Sequence, residues 1–410
     1  MPKRVPRELC VRCKGAKRLC GLERCPILER LESQRVIYRV AAARRVEGGT
    51  PPSVLVGEWS YPRIRVAPLI LPDARDASTA ERPGEWVRWK LSDIIRIRSR
   101  MLAASLRVNA KRIDERVLEP VQLAAMSEIS VPLEARLIKP PRPRLSFDGI
   151  LAPTGPSAEA ERVDLEAEPE VPKPVERAVS DSDAEAAEVL VELYKSGIDV
   201  YHSTRLLSLA LLGERGRRRL VPTRWAITAV DSILGSNLKK TVLGMPEYSG
   251  RPRLHRASFS DNRYWILILP GAYRLEVVEA WMPGSVWAGG EAHVVTNYEG
   301  AIDRGFPVMD GGHYAMRLPI LEHLAFRLKR QASVLAVREI GPGYYAPVGS
   351  WQIRESIRLA LSGPHDEFES VEEAVSKLLS ELRVDLRKVI GESRLLREVL
   401  RQARIDRFLE

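Results

Sequence analysis

No stretch of the 410-residue chain is long and apolar enough to cross a bilayer. Its longest apolar runs, Leu206–Leu212 and Trp265–Leu269, fall far short of the roughly 20 residues a spanning helix needs. Met1–Arg7 is basic but is followed by no apolar h-region, so no signal peptide is expected and the protein is expected in the cytoplasm, away from membranes. Common catalytic signatures are missing too. There is no GxxxxGK[ST] phosphate loop, no GxGxxG, no HExxH and no GxSxG elbow. Nucleotide hydrolysis, dinucleotide binding and serine hydrolysis therefore lose their usual support. The six histidines, His202, His255, His293, His313, His323 and His365, are scattered and read as surface or core residues rather than ligands. Asparagine and glutamine are scarce, at four and five residues.

What is present suggests a folded protein with an affinity for anions. Hydrophobic residues make up 45% and charged residues 29%, enough apolar material for a sizeable core and for two domains. The net charge is +10, and with only 13 lysines among its 64 cations the chain carries 51 arginines. Arginine presents a planar donor fork that grips phosphate in bidentate fashion, so the excess fits a nucleic-acid surface. A GC-rich genome gives the same bias, and scarce amides also suit a thermophile.

All four cysteines fall within sixteen residues, Cys10, Cys13, Cys20 and Cys25, spaced C-x2-C-x6-C-x4-C. Four thiolates complete a tetrahedral zinc site and leave no position for water, so such a site would be structural. The segment is too short to have a core of its own, and metal binding would supply its folding energy. Cys25-Pro26 also echoes the ending of iron–sulfur ligand runs, which keeps a cluster as the alternative.

The order of elements predicts a mixed α+β fold with helices gathering at the C-terminus. A helix over Pro26–Gln34 is followed by strand-like runs at Val36–Val40, Val54–Val56 and Ile64–Val66. Residues 140–175, rich in proline and acid, read as a surface excursion. Ser180 and Ser182 are candidate caps for a helix closed by Lys195 and Gly197. Tyr264–Leu269 and Tyr273–Trp281, joined through Pro270-Gly271, predict an antiparallel hairpin. Pro319 is placed to open a helix whose apolar face is Ile320, Leu321, Leu324 and Leu328.

One segment, Leu220-Val221-Pro222-Thr223-Arg224-Trp225-Ala226-Ile227-Thr228-Ala229-Val230-Asp231, draws attention by its mixture of chemistry. Thr223 is placed to cap a helix that buries Ile227, Val230 and Leu234. Arg224, Thr228 and Asp231 then form a polar stripe. The stripe is either a solvated Arg–Asp face with Trp225 in the core, or a phosphate donor with Trp225 as a stacking surface. Trp351, Arg354 and Glu355 present the same choice on a later helix.

This segment resembles the VPTRW(S/A)ITAVD signature of the archaeal Nre family. The cysteine segment (Leu9-Cys10 through Cys25-Pro26), then Pro51-Pro52-Ser53, Gly57 and Tyr61-Pro62, and finally Gly349-Ser350-Trp351-Gln352-Ile353-Arg354-Glu355 resemble other family segments in the same order. The resemblance implies a role in archaeal DNA-damage repair in partnership with the sliding clamp, PCNA. It divides the chain into a four-cysteine zinc knuckle (1–30), an Nre N-terminal region (31–285), a mostly helical Nre C-terminal region (286–398) and a tail (399–410). The tail itself fits the clamp motif Q-x-x-(I/L/M)-x-x-(F/Y)-(F/Y/L) through Gln402, Ile405, Phe408 and Leu409. One helical turn puts Ile405 and Phe408 on one side, ready for a hydrophobic pocket. An ordinary packing helix through Leu396, Leu400 and Ile405 is the competing reading. The expectation is thus a DNA-repair factor that binds DNA and is recruited by PCNA. The alternative is a nucleic-acid-processing enzyme, a nuclease or nucleotide-dependent transferase, built on Arg224, Asp231, Glu279, Arg354 and Glu355.

Overall fold

The computed structural model describes residues 13, 17, 25–41, 44–72, 74–141, 148–285, 288, 290–302, 307–309 and 311–409, with the side chains at 26, 36, 39–40 and 402–409 outside that description. The chain divides into two compact units: 26–234 with 347–349, and 235–346 with 350–410, which also takes residues 1–25. The division falls inside one helix, between Leu234 and Gly235.

The N-terminal unit is built on a six-stranded sheet ordered β1-β5-β6-β4-β3-β2. Its strands are β1 (Arg45–Thr50), β2 (Val54–Val56), β3 (Arg63–Ile70), β4 (Leu102–Asn109), β5 (Val131–Leu137) and β6 (Ser157–Leu165). All neighbours are antiparallel except β4 and β6, which run parallel from Ala103↔Ser157 to Ser105↔Glu159. In the first turn of β3 the alternation is plain: Arg63 and Arg65 point to solvent while Ile64 and Val66 are buried. Helix α1 (Pro26–Val40) packs against α2 (Leu91–Ser99). Arg98 of α2 is fully buried, donating to the Pro153 and Ala80 carbonyls at 2.9 and 2.8 Å and pairing with Glu81. Then come α3 (Glu119–Met126), α4 (Lys173–Ser180), α5 (Ala186–Lys195) and α6 (Val200–Ser208).

Two expectations fail in this unit. Val36–Val40 is not a strand but the last turn of α1, because the buried face of that helix continues through Arg30, Gln34 and Ile37. Residues 140–175 are not simply an excursion. They supply β6, whose buried Ala158, Ala160 and Val163 are masked in the sequence by the acids between them.

Helix α7 (Thr223–Leu243) leads into the C-terminal unit. Its sheet is ordered β10-β9-β11-β8-β7-β12, with β7 (Arg253–Phe259), β8 (Asn262–Leu269), β9 (Arg274–Trp281), β10 (His293–Glu299), β11 (Ser333–Ile340) and β12 (His365–Glu367). The expected hairpin of β8 and β9 does not form. Strand β11 lies between them, antiparallel to β8 (Val337↔Trp265) and parallel to β9 (Val337↔Val278). Every residue of β11 is buried, and a strand covered on both faces belongs in a sheet's centre.

Helices α8 (Gly312–Glu322), α9 (Trp351–Ser362), α10 (Val371–Glu381), α11 (Leu386–Glu392) and α12 (Arg394–Leu409) complete the unit. Pro319 lies inside α8 rather than at its start, and a π-helical turn over His323–Leu328 follows. One sheet face is apolar: Trp265, Leu267, Val278, Leu335 and Val337 pack with Leu378, Val389, Leu395 and Leu396 from α10, α11 and α12. Glu276 on that face accepts from Ser393 Oγ and from the Arg394 and Leu395 amides at 2.6–2.8 Å. A carboxylate thereby satisfies the open donors at the start of α12. The architecture as a whole is mixed α and β with two mixed sheets.

Candidate functional site

The signature segment is tied to several other segments of the N-terminal unit. Thr223 does not cap its own helix. Its Oγ1 accepts from the Val56 amide at 2.8 Å and lies 3.4 Å from the Val54 carbonyl, fastening the start of α7 to β2. Arg224 pairs with Asp148, with Glu58 at 3.7 Å, rather than with Asp231 along its own helix. The guanidinium thus links α7 to the loop 57–62, which joins β2 to β3. Thr228 Oγ1 is 3.4 Å from the Arg224 carbonyl, and Asp231 is buried. Val230 and Leu234 occupy the buried face as expected, with Ala226. Trp225 is not a core residue: 55% of it is exposed.

The adjoining loop is equally unusual. Trp59 is 80% exposed and Tyr61 54%, and Ser60 between them has φ +69°, a left-handed conformation that only its surroundings can hold. The Pro62 carbonyl accepts from the Ala110 amide at 2.8 Å, and the Ala110 carbonyl from the Leu220 amide at 3.0 Å. Four segments, 57–62, 109–112, 215–220 and 223–225, are therefore stitched into one edge. Cations crowd it: Arg63 and Arg65 face outward on β3, Arg107 sits opposite Arg65 on β4, and Lys111, Arg112, Arg215, Arg217 and Arg219 are exposed. Arg107 pairs with Glu159 and Arg217 with Glu214. Arg63, Arg65 and Arg219 have no carboxylate partner among the described residues. Beside this run lies a cleft of about 280 Å³ lined by Asp114, Gln122, Ser180, Arg215 and Arg218. Arg218 donates to the carbonyls of Gly213, Val179 and Asp181.

In the C-terminal unit a set of polar residues faces inward. Trp351 is buried edge-on to Phe259 at 5.4 Å, and Arg354 and Glu355 are buried on the same helix. Arg358 joins Glu355 at 2.8 Å to Glu322, which it grips with two donors at 2.9 and 2.8 Å. Sequence reasoning missed the strongest cluster of this unit. Glu299 accepts from Tyr273 Oη at 3.0 Å and from Arg317 at 2.7 and 3.1 Å, with Lys239 Nζ at 3.1 Å and His313 Nε2 at 3.4 Å. Burial alone would raise the Glu299 carboxyl. The His313 hydrogen bond and the charges of Arg317 and Lys239 outweigh it and hold the group below the usual carboxylate range. A second cluster joins Arg338 to Glu279 at 2.7 Å and to Asn262. The partners of Glu299 lie 14 to 60 positions from it along the chain, and those of Arg338 lie 59 and 76 away, so no local spacing announces them.

Three of the scattered histidines also meet. The His255 ring lies 4.6 Å from His365 and 5.6 Å from His323. Burial, with the neighbouring histidines adding to it, pushes His255 down to about 4, and burial does the same to His323. No group of three or more histidines, cysteines or acids among the described residues is placed to hold a metal ion. Of the four cysteines, Cys13 is buried and Cys25 half-buried, while Cys10 and Cys20 lie outside the described residues. The backbone of α12 carries the tail as helix through Leu409. The side chains of Gln402, Ile405, Phe408 and Leu409 lie outside the description. Leu396 and Leu400, earlier on that helix, pack on the body. No helix among the described residues is long and apolar enough to cross a membrane.

The signature thus places a tryptophan-bearing helix start, braced against two carboxylates, beside a cationic rim. Residues 19–288 match the archaeal Nre N-terminal family and 299–408 the archaeal Nre C-terminal family. The chain belongs to the archaeal Nre family. It is 36% identical to a DNA repair protein NreA of Archaeoglobus fulgidus, over 90% of this chain and 92% of that one. It is 33% identical to a DNA repair protein NreB of the same organism, over 95% and 97%, and 34% identical to a DNA repair protein NreA of Haloferax volcanii, over 90% and 91%. No solved structure matches.

Proposed function

We propose that this protein is a DNA-repair factor that binds DNA through the cationic edge of its N-terminal unit and is recruited to its site of action by the sliding clamp PCNA. The observation that carries the reading is the gathering of exposed arginines and aromatics around the family signature; the names of the relatives give it its direction. Phosphate contacts release counterions, so binding to DNA should weaken steeply with salt. The Gln402-Ile405-Phe408-Leu409 motif would enter a hydrophobic pocket on the clamp. Two modest affinities joined in one chain then act as a stronger one. Cys10, Cys13, Cys20 and Cys25 would hold a structural zinc ion.

Calorimetry against the clamp tests recruitment: wild type binds and Phe408→Ala weakens binding at least about tenfold, a loss of about 1.4 kcal/mol. Equal binding by both would remove the clamp from the reading. Metal analysis of the purified chain should find about one zinc per chain, lost on Cys13→Ser. Iron would favour the cluster alternative, and neither metal would remove the module. The enzymatic reading draws on Arg224 and Asp231 of α7 in the N-terminal unit and on the buried Glu279, Arg354 and Glu355 of the C-terminal unit. Turnover of DNA that needs a divalent metal and disappears in Asp231→Ala, with folding intact, would favour it.

A further inference from the structure

We propose that Trp59, Tyr61 and Trp225 form a stacking platform for the unpaired bases of single-stranded DNA. This rests on the DNA-binding reading above and specifies its substrate. A soluble protein rarely exposes large rings together without a use for them, and these three come from two segments, the 57–62 loop and the start of α7, joined by Thr223–Val56 and Arg224–Glu58 contacts. The platform is held rather than loose. Ser60 keeps a left-handed backbone between the two loop aromatics, and Pro62 is anchored to Ala110. A backbone held in place before binding loses little freedom when a base arrives.

The surrounding charge selects a polyanion. Arg63, Arg65 and Arg219 have no carboxylate partner among the described residues, whereas Glu58, which precedes Trp59 in the loop, and Asp148 pair with Arg224. Arg224 is then a positioning residue, which offsets one of the two negative charges and braces the loop. Flat aromatic faces gain most from bases whose own faces are open. A duplex hides its base faces, so the chemistry favours single strands over paired DNA.

The test is fluorescence anisotropy of the full chain with a labelled oligothymidylate of about 20 nucleotides, a duplex of equal length and the matching oligouridylate. Wild type should bind the single DNA strand roughly tenfold more tightly than the duplex. Trp59→Ala and Trp225→Ala should each weaken single-strand binding roughly 5- to 150-fold, leave duplex binding within about twofold, and leave the unfolding temperature unchanged. Trp225→Phe should retain most of the affinity. Equal binding of both DNA forms, indifferent to the tryptophan variants, would overturn the platform while leaving DNA binding standing. Binding of neither DNA would overturn the DNA reading itself. Tighter binding of the uridylate would overturn the assignment to DNA.

Discussion

Two sets of charges, one from each unit, are placed in opposite ways. In the C-terminal unit Glu299, Arg317, Lys239, Glu279 and Arg338 are turned into the protein and matched partner by partner. In the N-terminal unit Arg63, Arg65, Arg217 and Arg219 are turned outward, beside aromatic rings left in solvent. A buried charge must be paired or its desolvation destabilises the fold, whereas an exposed charge contributes little to stability and remains available to a ligand. The difference separates residues that specify the structure from residues that meet a partner. It also shows why net charge, counted over the chain, blurs the two.

The largest expected effect falls on the inward set. Glu299→Ala leaves Arg317 and Lys239 buried without their carboxylate and should destabilise the protein by about 3–5 kcal/mol, read from chemical or thermal unfolding. Trp59→Ala, by contrast, should stay within about 0.5 kcal/mol. Similar losses from both would break the distinction.

Acid should act on both units, in the N-terminal one through His202 of α6, which burial pushes down to about 3, and in the C-terminal one through two further histidines. His255 and His323 are pushed down to about 4 in the folded chain, so between their ordinary value of 6.5 and about 4 the unfolded chain binds more protons than the folded one. Stability therefore falls as pH drops through that window and is flat above it on their account. Glu299, held low, adds a loss in the same direction below the ordinary carboxylate range. His255→Gln should flatten the fall of the unfolding midpoint between pH 6.5 and 4; an unchanged profile would place the acid sensitivity elsewhere.

The smallest effect on stability, and the most diagnostic for binding, belongs to the outward arginines. Arg65→Ala and Arg219→Ala should each change stability by less than about 0.5 kcal/mol. Each should also lower the slope of log affinity against log salt by about one. Unchanged slopes would put the phosphate contacts on another surface.

Local patterns in the sequence reached short elements such as β2, the alternating first half of β3 and the buried face of α7, and the motif residues Arg224 and Trp225. They failed where neighbours far along the chain decide the outcome. The hairpin of β8 and β9 was legible as two strands, but not the insertion of β11 between them, because a strand's partner is set by burial on both faces. Val36–Val40 has the composition of a strand and the position of a helical turn. Glu299 gave no signal, since its partners lie at 239, 273, 313 and 317. The exposure of Trp225 was open from sequence alone, and it is the observation on which the nucleic-acid interface turns.

The most direct test is amide hydrogen exchange of the full chain with and without single-stranded DNA. Protection on binding is expected over 57–65, 107–112 and 215–225, with the strands 253–259 and 333–340 unchanged. Protection confined to those inner strands, with the N-terminal edge exchanging as before, would contradict the assignment of the outward-facing edge as the DNA-binding surface.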